Sequence, residues 1–264
     1  MIGVVKEFAM LRVVSALKGY KIEARDGSLG TVSDLLFDDR TWRVRWLVVD
    51  TGTWLSGRKV LIHPSAIGQA DDAHKLLPVS LTKAQVDDSP NIAQDRPVSA
   101  QMETELNGYY GWDPLWSSGV GGAGMAWPLA APAYFGAGAV HDAAEMDTLP
   151  DDDGDPHLRS VAAVTGYHIH AMDGAIGHVE DVLVEDEGWT IGYLIVDTRN
   201  WWPGRHVLIA PHAVRAISMS DREVQLDVTR QKIKDSPPWT PYDLMDRGYR
   251  HNLHTYYGWP VYEW

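Results

Sequence analysis

The chain is written twice. Residues 11–112 return at residues 158–259 with a constant offset of 147 and without a single insertion or deletion. Gly19-Tyr20 comes back as Gly166-Tyr167, Asp26-Gly27 as Asp173-Gly174, and Gly30 as Gly177. Further along, Val60-Leu61-Ile62 returns as Val207-Leu208-Ile209, and Asp88-Ser89-Pro90 as Asp235-Ser236-Pro237. Each copy closes on Tyr-Tyr-Gly-Trp, at Tyr109–Trp112 and Tyr256–Trp259. Two units of this length are too long and too few for a solenoid, so they read as two copies of one domain. The duplication is an internal control. Whatever both copies keep is fold or a shared function, and whatever one copy alone carries is decoration or a specialised site.

Composition narrows the classes. A chain of 264 residues has room for about two domains of ordinary size. The formal net charge of −13 argues against a general nucleic-acid grip, because a negative body repels phosphates. With no cysteine, disulfides, thiol nucleophiles and cysteine-ligated metals are excluded. The first ten residues show no secretion signal. Leu115 to Val140 carries no charge, but it is rich in Gly and Ala, contains Pro128 and Pro132, and lacks Lys or Arg anchors. It is expected to be part of a linker rather than a membrane span.

Within each unit the pattern predicts strands. Tyr20–Arg25, a turn at Asp26-Gly27 and Leu29–Phe37 read as a β-hairpin. Trp42–Asp50 reads as a strand, with Trp42, Val44, Trp46 and Val48 on one face. Arg58–Ile62, Ala66–Gln69 and Lys75–Val79 follow as shorter strands. Helices are expected at Thr82–Val86, with Thr82 as N-cap, and at Ser99–Tyr110, ending on Gly111. Short strands with both faces partly apolar suggest a sheet that closes on itself.

The hairpin, Asp34, the LVVDTG strand, the Gly-Arg-hydrophobic strand and the closing Tyr-Tyr-Gly-Trp together resemble the PRC-barrel family. These are the small barrels of the photosynthetic reaction centre H subunit and of the ribosome-maturation factor RimM. The resemblance covers both repeats. It implies an all-β fold with short helices: two small PRC-type β-barrels, at 11–112 and 158–259. A linker at 113–157, Gly/Ala/Pro-rich and then acidic, joins them, and an aromatic tail follows at 260–264. The two barrels are expected to pack as a pseudo-two-fold pair, much as single barrels could in a homodimer. Two departures stand out: the H subunit's transmembrane helix and the extra barrel of RimM have no counterpart in this sequence.

The repeat sorts the chemistry-bearing residues into those kept in both copies and those found in one. Asp34, Asp50 and Arg58, with their mates Asp181, Asp197 and Arg205, are expected to fix loops and strand ends, because no nucleophile, histidine base or phosphate loop is kept with them. His168 and His170 would share a strand face, and His251 and His254 a helix face. The first copy has Lys21, Glu23, Thr104 and Asn107 there, so a metal site is the last-ranked reading. Gly119–Gly124 matches a dinucleotide fingerprint without the strand and helix that motif needs, and Asp151, Asp153 and Asp155 begin a calcium loop that Pro156 breaks. No catalytic, cofactor or metal residue is therefore assigned.

Tyr109, Tyr110, Trp112, Tyr256, Tyr257 and Trp259 are the candidate protein-interaction residues, although they could equally plug their own barrels. The resulting expectation is a non-enzymatic protein-binding or scaffold module. It would be cytoplasmic, at most peripheral to a membrane complex of the photosynthetic kind, and without direct nucleic-acid contact. A ribosome-maturation adaptor that binds a basic protein is the alternative, followed by a metal-dependent enzyme using the second-copy histidines. Whole-chain self-association stays open.

Overall fold

The computed structural model describes residues 10–89, 106–112, 155–198, 206–240 and 246–260. The expected linker between 113 and 154, the fingerprint at 119–124, Arg205 and the aromatic tail lie outside these residues. The described residues are mostly strands with a few short helices.

The first sheet is built from β2 (Lys21–Ala24), β3 (Gly27–Asp38), β4 (Val44–Asp50), β5 (Lys59–Ile62) and β6 (Leu76–Pro78), in the order β5-β4-β3-β2-β6. The second sheet is built from β8 (His168–Ala171), β9 (Gly174–Glu185), β10 (Thr190–Asp197), β11 (His206–Ile209), β12 (Val214–Ser218) and β13 (Glu223–Leu226), in the order β11-β10-β9-β8-β13-β12. In each sheet a 3-10 turn that starts on proline, Pro64–Ala66 or Pro211–Ala213, curls the chain back toward the far edge and makes the unit barrel-like. Proline fits there because its fixed φ suits the turn and its missing N–H costs no bond.

The two remaining strands are exchanged. β1 (Leu11–Val13), from the first repeat, pairs with Leu183–Glu185 of β9. β7 (Leu158–Ser160), from the second repeat, pairs with Leu36–Asp38 of β3. Each 12-residue long strand thus borrows its last partner from the other copy. The helices that follow, α1 (Val14–Leu17) and α3 (Val161–Val164), pack onto the host strands as well. Four residues cannot hold a helix alone. Burial holds them: Val14, Leu17, Val161 and Val164 are each 1% exposed, and each such side chain contributes roughly 1.5–3 kcal/mol. The largest hydrophobic cluster accordingly draws on both repeats.

The exchange is completed at the pseudo-two-fold axis. Val44 N–H donates to the Trp189 carbonyl at 2.8 Å, and Ile191 N–H donates to the Trp42 carbonyl at 2.7 Å. To aim these carbonyls across the axis, Trp42 and Trp189 take left-handed backbone angles, φ +58° and +49°. A bulky residue gives up roughly 1–2 kcal/mol in that conformation. Trp42 recovers packing by stacking on Phe37, ring centroids 5.5 Å apart. Here the sequence expectation needs correction. The strand begins at Val44, and Trp42 is not on its pleat.

Smaller corrections follow. The hairpin turn is at Arg25-Asp26, one residue earlier than expected, and Gly27 opens β3 with φ +136°. Residues 66–69 form no strand in the first repeat beyond a bridge from Ile67 to Val79, whereas the mates of 67–69 in the second, Val214–Ala216, open β12. The short helices behave as expected. α2 (Lys83–Asp87) carries a full capping box from Thr82 and Gln85, and α4 (Arg230–Lys234) is capped by Thr229. Helix 106–110 falls within the expected Ser99–Tyr110; 99–105 lie outside the described residues. Its mate is α5 (Arg247–Tyr257).

Candidate functional site

Among the described residues, Asp34, Asp181, Asp50, Asp197 and Arg58, which both copies keep, perform architectural work. Asp34 sits in β3 where the exchanged segment arrives. Its carboxylate accepts from its neighbour's Leu35 N–H at 2.8 Å, from the Ala162 N–H at 3.0 Å and from the Ser160 hydroxyl. Asp181 repeats the clasp, accepting from Val182 N–H at 2.7 Å and Ser15 N–H at 3.3 Å. Each aspartate therefore holds the first helix of the opposite repeat. Asp50 accepts from Gly52 N–H at 2.9 Å and shapes the loop after β4. Its mate Asp197 is buried, with His178 Nε2 at 3.8 Å. Arg58 donates to the carbonyls of Asp87 and Ser89 and to the Ser89 hydroxyl, which ties β5 to the end of α2. These residues serve separate joints and do not converge on one cavity.

Sequence reasoning missed one repeated role. Asp26 accepts from Lys83 N–H at 2.8 Å, and Asp173 from Arg230 N–H at 2.7 Å. Both cap a short helix from a distance. The signal was present in the repeated Asp, but a turn accounts for Asp-Gly equally well.

The aromatic ends turn back on their own sheets. Gly111 and Gly258 adopt left-handed angles, φ +68° and +76°, which stop the helix and reverse the chain. The Trp after each glycine then stacks on the Tyr before it: Tyr110 on Trp112 and Tyr257 on Trp259, both with centroids 4.1 Å apart. Tyr109 and Tyr256 stand edge-on to their neighbours at 4.9 and 5.0 Å. Tyr257 is buried and its hydroxyl is pushed up to about 12 by loss of solvent. Tyr256 donates to the Lys232 carbonyl at 2.7 Å. Tyr109, 43% exposed, is the outward member of the six.

Beneath each stack lies a histidine. In the first repeat Trp112 leans on Trp46 and His63, with centroids 5.8 and 5.4 Å away. Burial holds the His63 ring down at about 4, helped by the Arg45 charge, so it is neutral near pH 7. In the second repeat Trp259 meets His254 edge-on at 5.7 Å. His254 Nδ1 lies 2.6 Å from the Pro260 carbonyl, and Nε2 lies 2.7 Å from the Tyr193 hydroxyl. A carbonyl only accepts, so Nδ1 carries the proton and Nε2 accepts from tyrosine. Both nitrogens are spent, which removes His254 as a metal ligand. No group of three or more His, Asp or Glu suited to a metal ion occurs among the described residues.

With this geometry in view, the comparisons are specific for one part of the chain. The family model for the PRC-barrel domain matches residues 14–84, so the unit running from α1 to the start of α2 is a PRC-barrel domain. The match begins at Val14, directly after the exchanged β1. An uncharacterized protein of Deinococcus radiodurans is 39% identical over 74 residues, which is 28% of this chain and 26% of that protein. The chain therefore spans about a quarter of that relative's length. PRC-barrel domains are generally non-catalytic and often mediate protein interactions. No helix among the described residues is long and apolar enough to cross a membrane.

Proposed function

We propose that the chain is a non-enzymatic scaffold made of two PRC-type barrels, at 11–112 and 158–259, which binds a protein partner. One observation supports this most: among the described residues, Asp34, Asp181 and Arg58, kept in both copies, are engaged in joints of the fold, and the repeated acids that line the grooves, Asp39 and Asp186, are each ion-paired to a repeated arginine, Arg159 and Arg12. The exchanged strands join the two barrels through each other's sheets, so surfaces of both are presented together on one chain. The resemblance to the reaction-centre H subunit supports a role in assembling or regulating a membrane complex, with the chain peripheral to the bilayer.

The aromatic ends enter this reading in a reduced form. Tyr110, Trp112, Tyr257 and Trp259 stabilise their own barrels, and Tyr109 is the member placed to touch a partner. The test is capture from native lysate, with soluble and membrane fractions analysed by mass spectrometry, using wild type and Tyr109→Ala. Membrane-complex proteins retained by wild type and lost by the variant at unchanged melting temperature are the expected result. Ribosomal proteins would favour the adaptor role, and no specific partner in either fraction would overturn the scaffold reading.

A further inference from the structure

Two related grooves flank the pseudo-two-fold axis, and they have diverged. The larger, about 980 Å³, lies between the β3–β4 turn, the arriving segment at His157 and Arg159, and the corner from Ala210 to Ile217. The smaller, about 410 Å³, is built from matching positions: the β9–β10 turn, Met10 and Arg12, and the corner from Pro64 to Ala70.

Their electrostatics differ sharply. Five arginines line the larger groove, Arg40, Arg43, Arg159, Arg215 and Arg250, against the carboxylates Asp39 and Glu185. In the repeat register Arg40 corresponds to Glu187, Arg43 to Thr190, Arg215 to Gly68 and Arg250 to Glu103. Only Arg159 keeps an arginine mate, Arg12, which is held by Asp72 and Asp186. The other copy therefore carries no cation at four of these five positions, and on a chain of net charge −13 the five gather at one place, where Arg40 is paired with Asp38 and Arg159 with Asp39.

The carboxylates in the groove are already engaged. Asp39 holds Arg159 at 2.7 Å and His157 at 2.9 Å, and Glu185 accepts from the amides of Glu187 and Gly188. Arg215 is exposed, and neither it nor Arg250 forms an ion pair among the described residues. Arg250 Nε is buried there without an acceptor, beside Tyr193 and His254.

One wall of the groove is a strand edge. β12 ends the second sheet and, among the described residues, pairs on one side alone, with β13. An extended peptide can add to such an edge through its main chain, and a nucleic acid cannot. Between the cations the lining is apolar, with Leu11, Ile191, Val214 and Ile217.

We infer that the larger groove binds an extended, carboxylate-rich segment of a partner polypeptide, laid along β12. Its acidic side chains are held by Arg215 and Arg250, and its apolar side chains lie on Val214 and Ile217. Guanidinium forks grip carboxylates in bidentate fashion, so arginine suits this task better than lysine. The inference rests on the protein-binding reading above and gives it a chemical class of partner.

The test uses the full chain and a fluorescein-labelled peptide of alternating Glu and Val, with fluorescence anisotropy as readout. Gln/Val and Lys/Val peptides, inorganic phosphate and a single-stranded oligonucleotide serve as competitors. Arg215→Glu, at an exposed site, is expected to weaken the Glu/Val peptide about tenfold, as truncation of a charged contact does. Arg25→Glu makes the same charge change on the first hairpin turn and is expected to leave affinity within about twofold, since separated surface charges are screened. Equal losses in Arg215→Glu and Arg25→Glu would reduce the effect to net charge and overturn the site. Competition by phosphate or oligonucleotide but not by unlabelled Glu/Val peptide would overturn the choice of ligand. Absence of peptide binding overturns the inference as well. If lysate partners are then still captured equally by wild type and Arg215→Glu, the scaffold reading survives without this groove; if none is captured, both fail.

Discussion

The two aromatic caps solve the same packing problem with different residues. In the first repeat the ring under the closing Trp is His63, delivered by the end of β5, and it faces Trp46. In the second the ring is His254, delivered by α5, and it faces Tyr193. The vacated positions are Asn107 and Ala210. Three positions have changed together, from Trp/His/Asn to Tyr/Ala/His, while the stacked Tyr and Trp above them stayed. The histidine's place of origin is free to move, but a ring beneath the stack is retained. By contrast, glycines 30 and 177, aspartates 34 and 181 and the left-handed tryptophans did not diverge at all. Backbone geometry tolerates fewer alternatives than a packed volume does.

The largest effect is expected where no divergence occurred. Gly30 and Gly177 have φ +147° and +154°, and a Cβ at either would collide with the carbonyl of Asp50 or Asp197. Those carbonyls belong to the central strands β4 and β10, which cannot retreat without breaking their ladders. Gly30→Ala and Gly177→Ala are each expected to cost about 4 kcal/mol, combining backbone strain with overpacking. Chemical denaturation measures this, and the comparison between them is sharp. Equal losses mean that the two barrels unfold as one body; a second transition in either variant means that they do not.

The caps come next, through pH. His63 titrates at about 4 in the folded chain against an ordinary 6.5. The unfolded chain therefore binds its proton first as pH falls. The stability due to the neutral ring is complete above about 6.5 and declines as the pH drops toward 4, by roughly 3 kcal/mol at the low end. His254 is lowered in the same direction, by burial first, although its Pro260 bond opposes the shift. His63→Ala is expected to cost about 3 kcal/mol at pH 7, as a large-to-small change under a stacked Trp. Trp46→Tyr with His63→Ala and Asn107→His rebuilds the second cap in the first repeat and is expected to recover most of that loss. If the triple variant is no better than the single one, the caps are not interchangeable.

Much of this was legible in the sequence for stated reasons. The repeat exposed the strands, because alternation and turn residues recur at one offset, and Thr82 with Gln85 announced a capped helix. The exchange was not legible. Strand β1 is three residues long, and nothing in Leu-Arg-Val says whether its partner is Leu36 or Leu183, since both long strands end in the same apolar pattern. The same ambiguity hid the role of Asp34, whose bonded partners lie 126 and 128 residues away. Trp42 looked like the first residue of a strand because its apolar period fits; its positive φ is imposed by the opposite repeat.

The clasps make the last comparison. Asp34 accepts from Ser160 and Ala162, but Asp181 has only the Ser15 amide across the junction, because Val13 occupies the position of Ser160. Ser160 also caps α3 through the Ala163 N–H, whereas α1 has no side-chain cap. Asp34→Ala is therefore expected to cost about 2 kcal/mol and Asp181→Ala about 1 kcal/mol, the difference being one charge-assisted bond to a hydroxyl. Val13→Ser should supply the missing bond. The N-cap and the bond to Asp181 together offset the lost burial of a half-exposed valine, leaving about 0.5 kcal/mol of net stabilisation. The decisive readout is the coupling. In a double-mutant cycle the cost of Asp181→Ala should rise to that of Asp34→Ala when Ser occupies position 13. An unchanged cost would mean that the hydroxyl does not reach the carboxylate, and that the two junctions differ in backbone path rather than in one side chain.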